Sequence, residues 1–196
     1  MSRQILILEQ AHDALRTAVQ GVTDWTAPTP CSDWNATQVL QHAAGDQIAF
    51  AAFLTGGPGP SENPFAPSGR LDTSPQSVLE QALKLSADAW AEISPDAEEV
   101  PVPVPPNKMT ARLGVGACAL DAAVHAWDIA MSSGAPSPLT GELARELLPV
   151  ARQIVEPLRA YGAYAAALPP RPGDDDVAAL LRYLGRHPEA KDGEHE

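Results

Sequence analysis

Two histidines and an aspartate in predicted helices stand out, because imidazole and carboxylate groups are common ligands of divalent metal ions. Asp121 and His125 are four residues apart, a spacing that places both side chains on one helix face, with Cβ atoms roughly 5–6 Å apart. His42 lies in another predicted helix and is the leading candidate for a third ligand. The sequence therefore predicts that His42, Asp121 and His125 bind one divalent ion and leave coordination positions open, as catalytic zinc sites do.

One of two further aspartates, Asp128 or Asp46, is predicted to hold the far ring nitrogen of a ligand histidine. Asp128 follows His125 by three residues, and Asp46 follows His42 by four. A carboxylate in such a position fixes the orientation of a metal-binding imidazole. The structural interpretation stays open, because a buried histidine is more often a hydrogen-bonded core residue and Asp-His pairs are common on helices.

Cys31 is the candidate nucleophile. It comes just before a predicted helix N-terminus, where the helix dipole favours a thiolate. The competing interpretation, which the sequence favours, is a small apolar residue with a structural role. The sequence contains no GxSxG or HExxH motif and no Gly-rich loop with the lysine that a phosphate site needs. Trp34, Trp90 and Trp127 are predicted to belong to the core.

Helical periodicity and capping signals predict an all-α fold, a bundle of four main helices with short extra helices. Residues 56–73, rich in proline and glycine, are predicted to be a long loop. The proline-rich segment 100–106 cannot be helical and is predicted to be an extended or polyproline-like connector. Pro149 and Pro157 are predicted to kink or split the fifth helix. The predicted helices cover, approximately, residues 3–20, 36–55, 75–94, 113–131, 140–161 and 175–184.

Net charge, cysteine content and hydropathy limit the binding partners and the cellular compartment that we expect for this protein. The formal charge of -12 disfavours nucleic acid and anionic membranes as partners. The two cysteines are far apart, the N-terminus lacks a signal-peptide core, and no apolar run reaches the ~20 residues that span a bilayer. We therefore expect a cytoplasmic protein, with one domain over residues 1–188 and a charged, flexible tail over residues 189–196.

Three segments resemble a known family. They are TPCSDW (residues 29–34) leading into LQH (40–42), LDAAVHAWDIA (120–130) and LRYLGRHP (181–188). These segments are similar to those of mycothiol-dependent maleylpyruvate isomerase-like proteins, a branch of the DinB-like metal-binding bundles that is common in actinobacteria. The resemblance runs in order over about residues 5–188.

The resemblance implies a DinB-like four-helix bundle with His42, Asp121 and His125 as metal ligands. It implies a divalent metal, zinc first and nickel or another ion as alternatives, and a low-molecular-weight thiol such as mycothiol. Two departures matter. The characterised isomerase has a glutamate where this chain has the shorter Asp121, so contact with the metal is either direct or through water. A second, sterol-carrier-like domain is not expected here, and maleylpyruvate isomerisation itself is therefore not expected either.

Three functions are consistent with these observations. The first is a metal-dependent enzyme that uses a small thiol for S-transfer to, or isomerisation of, a small electrophile. The second is a non-catalytic bundle that binds a metal or ligand, and the third is a metal-dependent hydrolase. The resemblance is also compatible with a homodimer.

Overall fold

The computed structural model describes residues 3–31 and 33–189, and it confirms the all-α bundle. The helices are α1 (Arg3–Gly21), α2 (Ala36–Thr55), α3 (Pro75–Ala91), α4 (Ala111–Ser132), α5 (Gly141–Arg159) and α6 (Asp176–Tyr183). Four of them form a ring in which α1 packs on α4 and α3, and α2 packs on α3 and α4. Helix α5 packs on α4, and α6 packs on α5.

The start of α2 fixes the position of His42 in the bundle. The side chain of Asn35 accepts a hydrogen bond from the backbone N–H of Gln38, and the Gln38 side chain accepts one from the N–H of Asn35. This capping box is the one that the sequence predicts. Gly56, with φ of 69°, ends the helix, because glycine adopts the left-handed conformation without steric cost.

Helix α4 is the central helix of the bundle. Every residue from Gly114 to Ala130 is buried, and Gly114 allows close packing, since a Cβ there would lie 2.9 Å from the Trp90 ring. The helix is long and apolar enough to cross a membrane, but 94% of its apolar window is buried inside the protein. Polar side chains on α4 are therefore enclosed by other helices whichever way they point.

Two predictions about prolines can be compared with the structure. Helix α5 continues through Pro149 and Pro157, so the prediction that they split it is wrong, and the kink stays a prediction. Both prolines are exposed, so water can satisfy the carbonyls that lose their amide partners. The segment around residue 100 is extended, as predicted, but it also pairs: β1 (Val100–Pro101) and β2 (Lys108–Met109) form an antiparallel hairpin, which the sequence did not indicate.

The predicted flexible tail lies outside the described residues except for Glu189. The Glu189 carboxylate is paired with Arg171, at 2.9 Å, and with Arg182. Glu189 thus contacts α6 through Arg182 and the segment before α6 through Arg171.

A buried polar network joins the four helices of the ring. His12 Nε2 on α1 is 2.9 Å from Gln47 Oε1 on α2, and Ser86 on α3 donates to the same oxygen at 2.8 Å. Gln47 Nε2 donates to the Cys118 carbonyl on α4 at 3.1 Å. Burial lowers the pKa of His12 to about 4, so His12 is neutral in the folded protein at neutral pH.

We expect this network to make the fold sensitive to acid through His12. A lowered folded-state pKa means that the contribution is complete above about pH 6.5 and is lost as the pH falls through 4. For a shift of this size the loss is roughly 3 kcal/mol of unfolding free energy. The difference in unfolding free energy between the wild type and His12→Asn, from urea titrations, should shrink by about that amount between neutral pH and about pH 4. A difference that is constant with pH would show that His12 is not the acid-sensitive group.

Candidate metal centre

The three predicted ligands meet where α2 packs against α4. His42 lies two turns into α2, and Asp121 and His125 are one turn apart in the middle of α4. All three are buried, with 6%, 9% and 6% of their surface exposed. One potential ligand atom from each lies within 4.8 Å of the other two. The structure thus brings together the residues that the sequence proposes as one set.

The spacing of these atoms suits a small cation. Asp121 Oδ1 lies 3.7 Å from His42 Nε2 and 3.5 Å from His125 Nε2, and both separations exceed the 2.7–3.2 Å typical of an N–H···O hydrogen bond. Ligand atoms of a tetrahedral zinc site with bonds of about 2.0–2.1 Å lie roughly 3.4 Å apart. The two imidazole rings are nearly perpendicular, at 87°. The arrangement matches the edges of a coordination polyhedron better than direct hydrogen bonds.

The far nitrogen of each imidazole is held by an acceptor outside the centre. His42 Nδ1 is 2.9 Å from the Pro64 carbonyl, and His125 Nδ1 is 3.0 Å from Asp128 Oδ2. A carbonyl or carboxylate oxygen can only accept, so each Nδ1 donates its proton outwards. In a neutral imidazole with this tautomer, the Nε2 lone pair is directed at Asp121, as metal binding requires.

Asp121 contains a buried polar atom without a fixed partner. Its Oδ2 receives no hydrogen bond from the N–H and O–H donors of the described residues, and the neighbouring carboxyl of Asp46 hydrogen-bonds to Asp121 only when Asp46 is protonated. A buried carboxylate oxygen without a partner is costly, and a cation at the centre would remove that cost. The donor set and this unpartnered oxygen both fit a divalent metal ion.

Without a metal, the negative charge of Asp121 is balanced by a proton on His125. Burial alone would lower the pKa of His125, but Asp121 and Asp128 outweigh it and raise that pKa to about 9. Burial would raise the pKa of Asp121, but His125 and His42 hold it well below its usual range. An imidazolium therefore faces the carboxylate, and a metal would bind in exchange for its proton.

Asp128 is found where the sequence predicts it, and Asp46 is not. Asp128 accepts from His125, and it is itself paired with Arg186 through Nε–Oδ1 and Nη2–Oδ2 contacts of 2.8 and 2.7 Å. Asp46 Oδ2 lies 3.7 Å from His42 Nε2, on the metal side of the ring. Of the two carboxylates that the sequence offers for the far nitrogen, Asp128 holds one and Asp46 does not.

The physical reason is the direction of the His42 ring. Its Nδ1 points away from α2 towards the loop at residues 56–73, where the Pro64 carbonyl accepts. A backbone carbonyl in a loop leaves no side-chain signal in a sequence. Burial and the neighbouring Asp121 raise the pKa of Asp46 to about 7. Asp46 thus adds a second acidic group beside the predicted ligands.

Cys31 lies at the edge of the same site. Its sulfur and ligand atoms of His125 and Asp128 all lie within 4.8 Å of one another. Burial raises the pKa of the Cys31 thiol to about 11, with Asp128 acting in the same direction. The thiolate that a helix N-terminus would favour is therefore not formed at neutral pH, which argues against an activated nucleophile.

Two aromatic rings lie against His42. The ring centroid of Trp34 is 4.8 Å from that of His42, and the centroid of Phe65 is 5.5 Å away. Phe65 is 68% exposed. Trp90 and Trp127 are core residues, as predicted, but Trp34 is only half-buried and lines the site. The sequence did not single out Phe65, because a lone phenylalanine in a Pro/Gly-rich loop has no distinctive pattern.

Comparisons with known proteins agree with this architecture. The fold is similar to that of two crystal structures. The structure of the mycothiol-dependent maleylpyruvate isomerase has a TM-score of 0.64 at 16% identity, and the match covers 95% of this chain and 89% of the isomerase chain. The structure of a histidine-to-alanine mutant of that isomerase has a TM-score of 0.58 at 16% identity, with 88% of this chain and 80% of the mutant chain covered. The uncharacterized proteins MT0763 and Rv0738 of Mycobacterium tuberculosis are each 28% identical over 180 residues, covering 88% of this chain and 93% of their own.

The family comparison covers the part of the chain that contains all three candidate ligands. The model of the mycothiol maleylpyruvate isomerase N-terminal domain matches residues 8–130, which is more than half of the 196 residues. This chain therefore belongs to the family of the mycothiol maleylpyruvate isomerase N-terminal domain.

Proposed function

We propose that this protein binds one divalent metal ion through His42, Asp121 and His125 and, together with a low-molecular-weight thiol, acts on a small electrophile by S-transfer or isomerisation. The observation that carries the proposal is the meeting of two imidazole Nε2 atoms with a buried carboxylate whose Oδ2 receives no hydrogen bond from the N–H and O–H donors of the described residues. Burial of a carboxylate without such compensation is costly to a fold, and a bound cation would offset that cost.

The ligand set favours zinc and leaves room for another ligand. Two imidazoles and one carboxylate are a typical protein contribution to a catalytic zinc site, which keeps a further position open. Nickel and other borderline divalent ions accept the same donors. Asp121 Oδ1 is already within 3.7 Å of both Nε2 atoms, which supports direct coordination by the shorter carboxylate.

A thiol is the cofactor that best suits this centre. A bound divalent cation lowers the pKa of a thiol beside it, so that thiolate is available at neutral pH. The solved structures with this fold are of an enzyme described as mycothiol-dependent, which supports a thiol of the mycothiol type. Trp34 and Phe65 offer an apolar wall beside His42 for the electrophile. We expect the reaction to take place in the cytoplasm, where small thiols stay reduced.

Two alternatives remain as outcomes of the tests. The ion pairs of His125 with Asp121 and Asp128 could be a purely structural network, in which case the bundle would bind no metal. A metal-dependent hydrolase would use the same ligands but would need no thiol. Metal content separates the first alternative from the proposal, and dependence on thiol separates the second.

Substitution of His125 is expected to abolish tight metal binding. Zinc-loaded wild type, dialysed and measured by plasma mass spectrometry, should hold about one metal ion per chain, and His125→Ala should hold almost none. The matched control is His12→Asn, which removes a buried histidine outside the centre and should bind as the wild type does. The variant should also lose about 1–3 kcal/mol of unfolding free energy, because it leaves the buried Asp128 carboxylate without the hydrogen bond from His125. Undiminished metal in folded His125→Ala would refute the ligand assignment.

Gly45 is expected to be needed for the position of the Pro64 carbonyl. A Cβ at Gly45 would lie 2.8 Å from Pro64 Cγ and 3.1 Å from its Cβ, so Gly45→Ala should push Pro64 away from His42. We expect zinc affinity, from competition with a chelating dye, to fall about ten-fold or more, as for other lost partners of metal ligands. The double variant Gly45→Ala with Pro64→Ala removes the 2.8 Å contact with Cγ, leaves the milder 3.1 Å contact with Cβ, keeps the carbonyl and should recover part of the affinity. Equal affinity in Gly45→Ala and the wild type would show that this contact is dispensable.

Thiol consumption tests the reaction class directly. Zinc-loaded protein should speed the loss of mycothiol in the presence of an aryl halide, an epoxide or an α,β-unsaturated ketone. With the halide, a carbon–sulfur bond forms as halide leaves and the thiol proton passes to solvent. Asp121→Asn should lower this rate at least ten-fold, because the carboxylate charge at the centre is lost. Hydrolysis of ester or amide probes at the same rate with and without thiol would instead favour the hydrolase.

A further inference from the structure

We propose that Arg186 is a positioning residue of the metal centre: it holds Asp128 in place and, through Asp128, fixes the His125 imidazole in the orientation that a metal requires. This inference rests on the proposed metal binding by His42, Asp121 and His125. It adds a role for the C-terminal segment, which the sequence connected to the family but not to the centre.

The contacts form a continuous chain from the surface of the bundle to the candidate ligand. Arg186 Nε donates to Asp128 Oδ1 at 2.8 Å, and Nη2 donates to Oδ2 at 2.7 Å. Oδ2 also accepts from His125 Nδ1 at 3.0 Å. Both oxygens of a carboxylate that is fully buried (0% exposed) are therefore used, and one is shared between the guanidinium and the imidazole.

The planar fork of arginine explains why this residue type suits the position. Two parallel N–H···O bonds set the plane of the Asp128 carboxylate, whereas a single donor would leave it free to rotate. The plane of the carboxylate in turn determines where Oδ2 meets the imidazole. Without the guanidinium, Asp128 would be a buried carboxylate with His125 as its remaining partner, which is a costly arrangement.

The chain is shaped to deliver Arg186 to this place. Leu184 is buried, and Gly185, with φ of 81°, turns the backbone at the end of α6. A Cβ at Gly185 would lie 2.8 Å from Ala165 Cβ and 2.9 Å from the Ala166 carbonyl. The Arg186 amide then donates to the Leu181 carbonyl at 2.9 Å. The guanidinium thus enters from a fixed turn and reaches a residue 58 positions earlier in the chain.

A purely structural clamp makes a different prediction from a positioning residue. If Arg186 only docks α6 onto the bundle, its loss lowers stability and leaves the intrinsic metal affinity of the folded protein unchanged. If it also orients His125, metal affinity falls as well. Metal binding should then in turn steady the C-terminal segment, because coupling between two sites is reciprocal.

The test compares zinc affinity in Arg186→Gln, Arg186→Lys and Arg182→Gln by competition with a chelating dye at one pH. Arg182 is a matched control, since it is also buried and paired, with Asp174 and Glu189, but makes no hydrogen bond to Asp128 or His125. We expect a 10–100-fold loss for Arg186→Gln, the range seen when a partner of a metal ligand is removed. Arg186→Lys should recover part of it, and Arg182→Gln should stay close to the wild type.

A second measurement on the wild type needs no variant to fold. The exchange rate of the Arg186 amide hydrogen is followed by NMR with and without zinc, and zinc is expected to slow it about ten-fold through the reciprocal coupling. Wild-type affinity in folded Arg186→Gln would overturn the positioning role, as would an Arg186 amide that exchanges equally fast with and without bound zinc. A wild type that binds neither zinc nor nickel nor another borderline divalent ion would instead refute the proposed function, so the two failures are distinguishable.

Discussion

The burial of the Asp121 carboxylate between two histidines is the constraint on which the rest of the site depends. Asp121 is 9% exposed and lies on a helix whose every face is covered. A buried charge needs compensation within a few ångströms, and His42 and His125 supply it from α2 and α4. Buried ion pairs contribute little net stability, and well-packed apolar residues in their place are often as stabilising or more so. A contribution to folding therefore does not by itself account for this polar cluster.

Contacts from outside the four-helix ring reach both imidazoles, one directly and one through a residue of the ring. The Pro64 carbonyl in the loop at residues 56–73 accepts from His42. Asp128 on α4 accepts from His125 and is itself paired with Arg186, in the segment after α6. The helices bring the ligands together, whereas the loop contacts the far nitrogen of His42 and Asp128 contacts that of His125. Orientation of the rings is what separates a metal site from a group of nearby polar residues.

Patterns within single helices were sufficient to predict the helices and the three candidate ligands from the sequence. They did not predict the group that contacts the far nitrogen of His42 or the arginine that pairs with Asp128. The capping box at Asn35 and the four-residue spacing of Asp121 and His125 depend on neighbours within one helix, so pattern alone finds them. The Pro64 carbonyl carries no side-chain signal, and the partner of Asp128 lies 58 residues away. The direction of Asp46 depends on how the His42 ring is turned, which only the packed loop decides. Non-local contacts of this kind cannot be read from spacing.

Charge balance connects the metal-free centre with the proposed ion. Arg186 and Asp128 form a neutral pair, which leaves the carboxyl groups of Asp46 and Asp121 on the side of the imidazole Nε2 atoms. The protein compensates these two acids with protons: the pKa of Asp46 is raised to about 7 and that of His125 to about 9. A divalent ion at the same place would supply the same positive charge and release those protons. The second acid beside the ligands therefore favours a doubly charged cation over a singly charged one, and it distinguishes this centre from a simple histidine–aspartate pair.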